Sequence, residues 1–132
     1  MNKFMKLLIF GAVLIATGVI YQNFYRPPSV SPVKETGRVV EIIMRSKENQ
    51  WRWDPPVVRA KAGDRIRLKV FNEDSYDHGI AVEVFGINKR LFPRRETLVE
   101  FVASKIGEFP FYCSVPCGAG HYQQIGKLII EE

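Results

Sequence analysis

A chain of 132 residues, 46% of them hydrophobic, has enough apolar content for one packed domain and little beyond it. Its formal charge of +5, from 19 basic and 14 acidic residues, divides into +3 up to residue 28 and +2 after it. A charge of +2 spread over a mixed-charge domain lacks the clustered basic face of a nucleic-acid binder, and none is expected as a partner.

The first element is apolar. After Met1-Asn-Lys-Phe-Met-Lys6, the run from Leu7 to Ile20 carries no charge, and apolar character continues through Tyr21, Phe24 and Tyr25 to Arg26 and Pro27-Pro28. As a helix, Leu7 to Tyr25 spans about 28 Å, close to the hydrocarbon thickness of a bilayer. A cleaved secretory signal has an apolar stretch of similar length. No small-x-small cleavage site or lipobox cysteine follows here, and the three aromatics form an interfacial belt. Residues 1–26 are therefore expected to be an uncleaved transmembrane anchor. Lys3 and Lys6 place its N-terminus in the cytoplasm, giving a single-pass protein of the cell (inner) membrane with its globular part on the periplasmic, extracytoplasmic side. Residues 27–37, with Pro27, Pro28, Pro32 and Gly37, read as an extended linker.

From residue 38 onward the signals are those of strands. Arg65-Ile-Arg-Leu-Lys-Val-Phe71 alternates basic and apolar residues, which puts Ile66, Leu68 and Val70 on a buried face and the cations on the other. Similar runs occur at Val39–Met44, Val57–Ala60, Ile80–Val84, Thr97–Val102, Phe109–Cys113 and Lys127–Glu131, separated by turn residues such as Ala62-Gly63-Asp64 and Ile106-Gly107-Glu108. About seven short strands in this length predict an all-β, antiparallel Greek-key sandwich over residues 38–132. Lys89-Arg90 and Arg94-Arg95 form a basic cluster that reads as a solvated loop or as a docking patch for an acidic partner.

The densest chemistry lies in Cys113-Ser-Val-Pro-Cys117-Gly-Ala-Gly-His121-Tyr-Gln-Gln124. Two soft thiols and an imidazole at C-x3-C-x3-H spacing suit copper or zinc. Cys113 and Cys117 are the only cysteines, so outside the cytoplasm a disulfide between them is a competing reading. A disulfide leaves His121 and the second histidine, His78, without a role. A structural zinc has little to do in a sandwich with its own core. A mononuclear blue copper site leaves one cysteine unexplained. Copper is the favoured metal. No Ser-His-Asp set and no paired carboxylates point to a hydrolase.

Residues 38–132 resemble the copper-A domain of cytochrome c oxidase subunit II, a cupredoxin sandwich with the pattern C-x3-C-x3-H-x2-M and a histidine upstream. Gln50-Trp51-Arg52-Trp53 is similar to the tryptophan-rich Q-W-x-W segment of that family, and the single anchor to the short subunit II of B-type oxidases. The resemblance implies that Cys113 and Cys117 bridge two coppers, that His78 and His121 each ligate one, and that the Val115 carbonyl is a weak axial ligand. It also implies that electrons enter near Trp51 and Trp53. Gln124 stands where the family has an axial methionine, Val115 where many members have a glutamate, and Arg90 where an acidic residue is usual.

The implied function is electron transfer through a binuclear copper centre. Cytochrome c or a small cupredoxin would be the donor, and subunit I of a haem-copper oxidase or a related membrane reductase the acceptor, with no catalysis by this chain alone. A copper-delivery protein for oxidase assembly and a degenerate structural subunit are the alternatives.

Overall fold

The computed structural model describes residues 1–25 and 32–132. The chain divides into two compact units between residues 31 and 32. The first contains one helix, α1 (Lys3–Phe24), started by Asn2, whose side chain accepts from the Met5 N–H. An 18-residue window of α1 has a mean hydropathy of 2.1, and the helix is long and apolar enough to cross a bilayer. Two of its polar side chains bond back to the helix: Thr17 donates to the Val13 and Leu14 carbonyls, and Asn23 to Val19. Self-satisfied polar groups suit a segment that meets no water.

The second unit is a sandwich of nine strands: β1 (Val39–Ser46), β2 (Trp53–Asp54), β3 (Val57–Lys61), β4 (Arg65–Asn72), β5 (His78–Val82), β6 (Ile87–Leu91), β7 (Glu96–Val102), β8 (Gly107–Tyr112) and β9 (Ile125–Glu131). One sheet runs β2-β1-β4-β7 and the other β3-β9-β8-β5-β6. The seven expected strands are all present with ends shifted by a residue or two. β2 and β6 are additional, and both are sheet edges. β6 has three exposed polar residues in succession between Ile87 and Leu91, which hides the period-two pattern. Lys89 and Arg90 therefore belong to a strand and not to the expected loop.

The pairing is mixed where an antiparallel arrangement was expected: β1 lies parallel to β4, and β3 parallel to β9. The chain crosses to the other sheet between β1 and β4, so β4 returns beside β1 in the same direction. Alternation in β4 works as the sequence indicates. Ile66, Leu68 and Val70 are buried, while Arg65, Arg67 and Lys69 pair outside with Glu35, Glu100 and Glu41. Met44, Ile80, Val82, Val99, Phe111, Leu128 and Ile130 complete the layer between the sheets.

Of the expected linker, residues 27–31 lie outside the described residues, and residues 32–37 fall in the same compact unit as the sandwich. The Thr36 N–H donates to the Gly63 carbonyl at 2.9 Å, and Thr36 Oγ1 to Asp64 Oδ1 at 2.8 Å. Arg38 grips the buried Asp64 carboxylate through Nε and Nη2 at 3.1 and 2.5 Å, and holds that carboxyl below the usual range. Arg90 and Arg94 of the basic cluster are paired with Asp77 and Glu48.

Ile66 is fully buried at the centre of the core. Ile66→Ala is expected to lower the unfolding free energy of the sandwich by about 3 kcal/mol, read from the shift in the urea denaturation midpoint at unchanged slope.

Candidate metal centre

The loop from residue 113 to 124 joins β8 to β9, and His78 opens β5, the strand next to β8. β5 and β8 are antiparallel with Ala81 opposite Tyr112, and that register carried onward sets Gly79 against Ser114. A Cβ on Gly79 would lie 2.3 Å from Ser114 Oγ and 2.9 Å from Val115 Cγ2, so glycine is what lets the loop close on the strand. On the other flank the loop meets Trp51. A Cβ on Gly120 would come within 2.4 Å of the indole, and the Trp51 Nε1–H donates to the Cys117 carbonyl at 3.2 Å. The spacing of small residues in the loop is thus set by a strand on one side and a tryptophan on the other.

The donors form a chain through the site. His78 Nδ1 is 3.6 Å from Cys113 Sγ, Cys113 Sγ is 3.5 Å from Cys117 Sγ, and Cys117 Sγ is 3.6 Å from His121 Nδ1. Each sulfur also has an oxygen beside it. The Val115 carbonyl lies 3.2 Å from Cys113 Sγ, and Gln124 Oε1 lies 3.7 Å from Cys117 Sγ. The ligating atoms of His78, Cys113 and Cys117 all lie within 4.8 Å of one another, and His121 joins them through Cys117. All six residues named from the sequence are therefore brought together. The thiols are free, so the disulfide reading does not hold.

Burial and hydrogen bonds fix these donors. His78 is fully buried, and its Nε2 is 2.7 Å from Asp74 Oδ2. A carboxylate can only accept, so Nε2 carries a proton, and Nδ1 is the ring nitrogen that faces the Cys113 sulfur. Asp74 Oδ1 in turn accepts from the Asn49 N–H at 2.8 Å, and Asn72 Oδ1 accepts from the Asp74 N–H. This ties His78 to the turn that carries Trp51. Trp53, almost wholly buried, lies edge-on to Phe111 and donates through Nε1 to the Gln124 carbonyl, which also accepts from the Cys113 N–H. Asp74, Gly79 and Ser46, whose hydroxyl meets the Gln124 side chain, are absent from the sequence reading. Asp74 carries the only local signal, since it stands four residues before His78.

The two thiols differ in acidity. Burial works to raise the Cys113 thiol, but hydrogen bonds from His78 and the Gly79 and Val115 backbone outweigh it and bring it down to about 6. Cys117 is pushed up to about 12 by burial and by the neighbouring Cys113 sulfur. Burial alone lowers the basicity of His78, yet its bonds to Cys113 and Asp74 prevail and raise it. At neutral pH the site thus holds one thiolate and one thiol.

The donor set and its spacings fit a metal. A metal about 2.3 Å from a thiolate sulfur and about 2.0 Å from an imidazole nitrogen, at a near-tetrahedral angle, spans roughly 3.6 Å between them. That is the separation found at both ends of the donor chain. Soft sulfur with imidazole and weak oxygen donors suits copper.

A sandwich of this topology, with a thiol–imidazole loop between its last two strands, has the architecture of a cupredoxin-like domain. Residues 12–130 match the family model of the cupredoxin-like domain, and the chain belongs to that family. It is homologous to nitrous-oxide reductase and to cytochrome c oxidase subunit 2. The nitrous-oxide reductase of Stutzerimonas stutzeri is 31% identical over 54% of this chain, and the oxidase subunit of Thermus thermophilus is 28% identical over 61%. These matches span 12% of the reductase and 58% of the oxidase subunit. Among solved structures, a haem-copper terminal oxidase dimer contains a chain that superposes with a TM-score of 0.62 at 18% identity, covering 96% of both chains.

Metal binding must displace the Cys117 proton and any proton on the ligating nitrogen of His78, so loading at pH 7 is expected to release at least one proton per site. Below pH 6 Cys113 is also protonated; release then rises and affinity falls. Titration calorimetry in buffers of different ionisation enthalpy measures both. Gly120→Ala is expected to push the Trp51 indole off the loop, seen as a red shift of tryptophan emission with the fold retained by circular dichroism.

Proposed function

We propose that this protein is a membrane-anchored electron-transfer subunit with a binuclear copper centre, held by Cys113, Cys117, His78, His121, the Val115 carbonyl and Gln124. One observation carries the reading. Each sulfur has its own imidazole nitrogen at 3.6 Å and its own oxygen, at 3.2 Å for Cys113 and 3.7 Å for Cys117, so the donors form two similar halves joined at the sulfurs. A single metal needs only one such half. When bound, a copper pair held by Cys113, Cys117, His78 and His121 would supply a one-electron couple.

The chain's own residues supply rigidity and shielding. Cys113, Cys117, His78 and Gln124 are all buried, while Val115 and His121 are half-exposed, His121 beside an open cleft lined by Asn88, Tyr112, Ser114, Tyr122 and Ile125. Buried ligands keep metal through many cycles, which favours electron transfer over copper delivery. Hydrogen bonds from Trp51, Asp74 and Trp53 hold the donors in one geometry, so little rearranges when an electron arrives. Trp51, half-buried over Cys117, is where an electron from a docked donor reaches the loop; Trp53 lies deeper and passes it on through Gln124.

In this reading residues 1–26 anchor the protein in the cell membrane, and the cupredoxin domain lies on the extracytoplasmic side. It takes electrons from cytochrome c or a small cupredoxin and gives them to subunit I of a haem-copper oxidase or a related reductase. Tethering raises the effective concentration of the domain at its membrane partner.

Copper-loaded protein, oxidised after mild reduction, is expected to be purple and to show a hyperfine pattern shared by two copper nuclei in electron paramagnetic resonance. Cys117→Ser abolishes that pattern. Gln124→Met leaves the copper count unchanged and raises the midpoint potential, because the harder amide oxygen favours the cupric state. A single-copper spectrum from the wild-type chain refutes the binuclear assignment.

A further inference from the structure

We propose that Ser46 is a positioning residue for the metal centre, holding the Gln124 side chain at the reach from which its amide oxygen meets Cys117. This rests on the binuclear copper reading for its effect on potential, but the Ser46–Gln124 contact stands independently of any metal. Ser46 ends β1, where alternation points it inward beside Met44, and it is fully buried. A hydroxyl in such a core position carries a desolvation cost unless it has a partner. Its partner is the Gln124 side chain, 78 residues later in sequence, at 2.8 Å from Nε2.

Gln124 is also fully buried, and its main chain has no freedom left. Its N–H donates to the His121 carbonyl, and its carbonyl accepts from the Cys113 N–H and the Trp53 Nε1–H. What remains adjustable is the side-chain amide. One end meets Ser46, and the other lies 3.7 Å from Cys117 Sγ.

The two ends of that amide are chemically unlike. A hydroxyl can accept from the NH2 or donate to the oxygen, so Ser46 satisfies either orientation. A cation at the sulfurs can take only the oxygen, since the amide nitrogen has no available lone pair. Ser46 and the metal therefore act from opposite ends. The metal selects the oxygen, and Ser46 accepts the Nε2–H that then points away from it, which holds the side chain at one reach. β1 lies in the sheet opposite the one that carries β8 and β9, so this bond also links the axial donor to the far layer of the sandwich.

The test uses the full-length protein in detergent, as wild type, Ser46→Ala, Ser46→Thr, Gln124→Met and the Ser46→Ala/Gln124→Met double variant. Without metal, one Nε2 proton of Gln124 in the wild type is expected to exchange slowly by nuclear magnetic resonance. Ser46→Ala abolishes that protection and Ser46→Thr retains it. With copper, Ser46→Ala is expected to raise the midpoint potential towards that of Gln124→Met, and Ser46→Thr to restore it. In the Gln124→Met background Ser46→Ala produces no further shift, because a thioether offers nothing for the hydroxyl to hold. Equal shifts in both backgrounds, or no shift in either, overturn the proposal, as does an unprotected amide in the wild type. A protected amide together with a single-copper spectrum refutes the binuclear reading and leaves the Ser46 contact established.

Discussion

The close approach of the 113–124 loop to β5 at Gly79 governs most of what this domain does. His78 and Cys113 are 35 residues apart, and they meet because β5 and β8 are neighbours whose register sets Gly79 against Ser114. Any side chain at Gly79 would occupy the space now filled by Ser114 and Val115. The Val115 carbonyl would then be displaced together with the sulfur it accompanies. Trp51 presses from the other flank against Gly118 and Gly120, so the loop is confined on two sides before any metal is considered.

Confinement has an electrostatic cost that the surrounding polar groups offset. Two thiols, an imidazole and an amide are buried together at one end of the β5–β8–β9 sheet, and each has a partner. No buried side-chain nitrogen or oxygen among the described residues lacks one. The carboxylate of Asp74 is the most consequential of these groups. It holds the Nε2 proton of His78, and its second oxygen reaches the turn before Trp51. The same network separates the acidities of the two thiols, leaving Cys113 ready to bind and Cys117 in need of metal to lose its proton.

The two sheets contribute unequally to the centre. β5, β8 and β9 carry or flank all six donors, while β1 reaches it through Ser46 and the following turn through Trp51. A rigid sheet behind the ligands and a second layer of hydrogen bonds in front of them is the arrangement that keeps geometry constant while charge changes. The N-terminal helix adds a different property, a length and composition suited to a bilayer, with no chemistry of its own.

Much of this was legible in the sequence. The helix followed from an uncharged apolar run, β4 from its period-two alternation, and the grouping of Cys113, Cys117, His121 and His78 from the C-x3-C-x3-H spacing together with the one remaining histidine. These are local patterns, and local patterns survive in a linear reading. β6 escaped notice because an edge strand has no buried face over its middle residues. The parallel pairing of β1 with β4 escaped because strand direction depends on where the chain crosses between layers. The contacts of Thr36 with Gly63 and Asp64 escaped notice because those residues lie a strand away. Asp74, Gly79 and Ser46 serve the centre through contacts across a register or between sheets, and nothing in their neighbours announces it. The sequence by itself determined which atoms could bind a metal; the tertiary structure decided which of them face each other, because hydrogen-bond register and sheet packing act between residues that are distant along the chain.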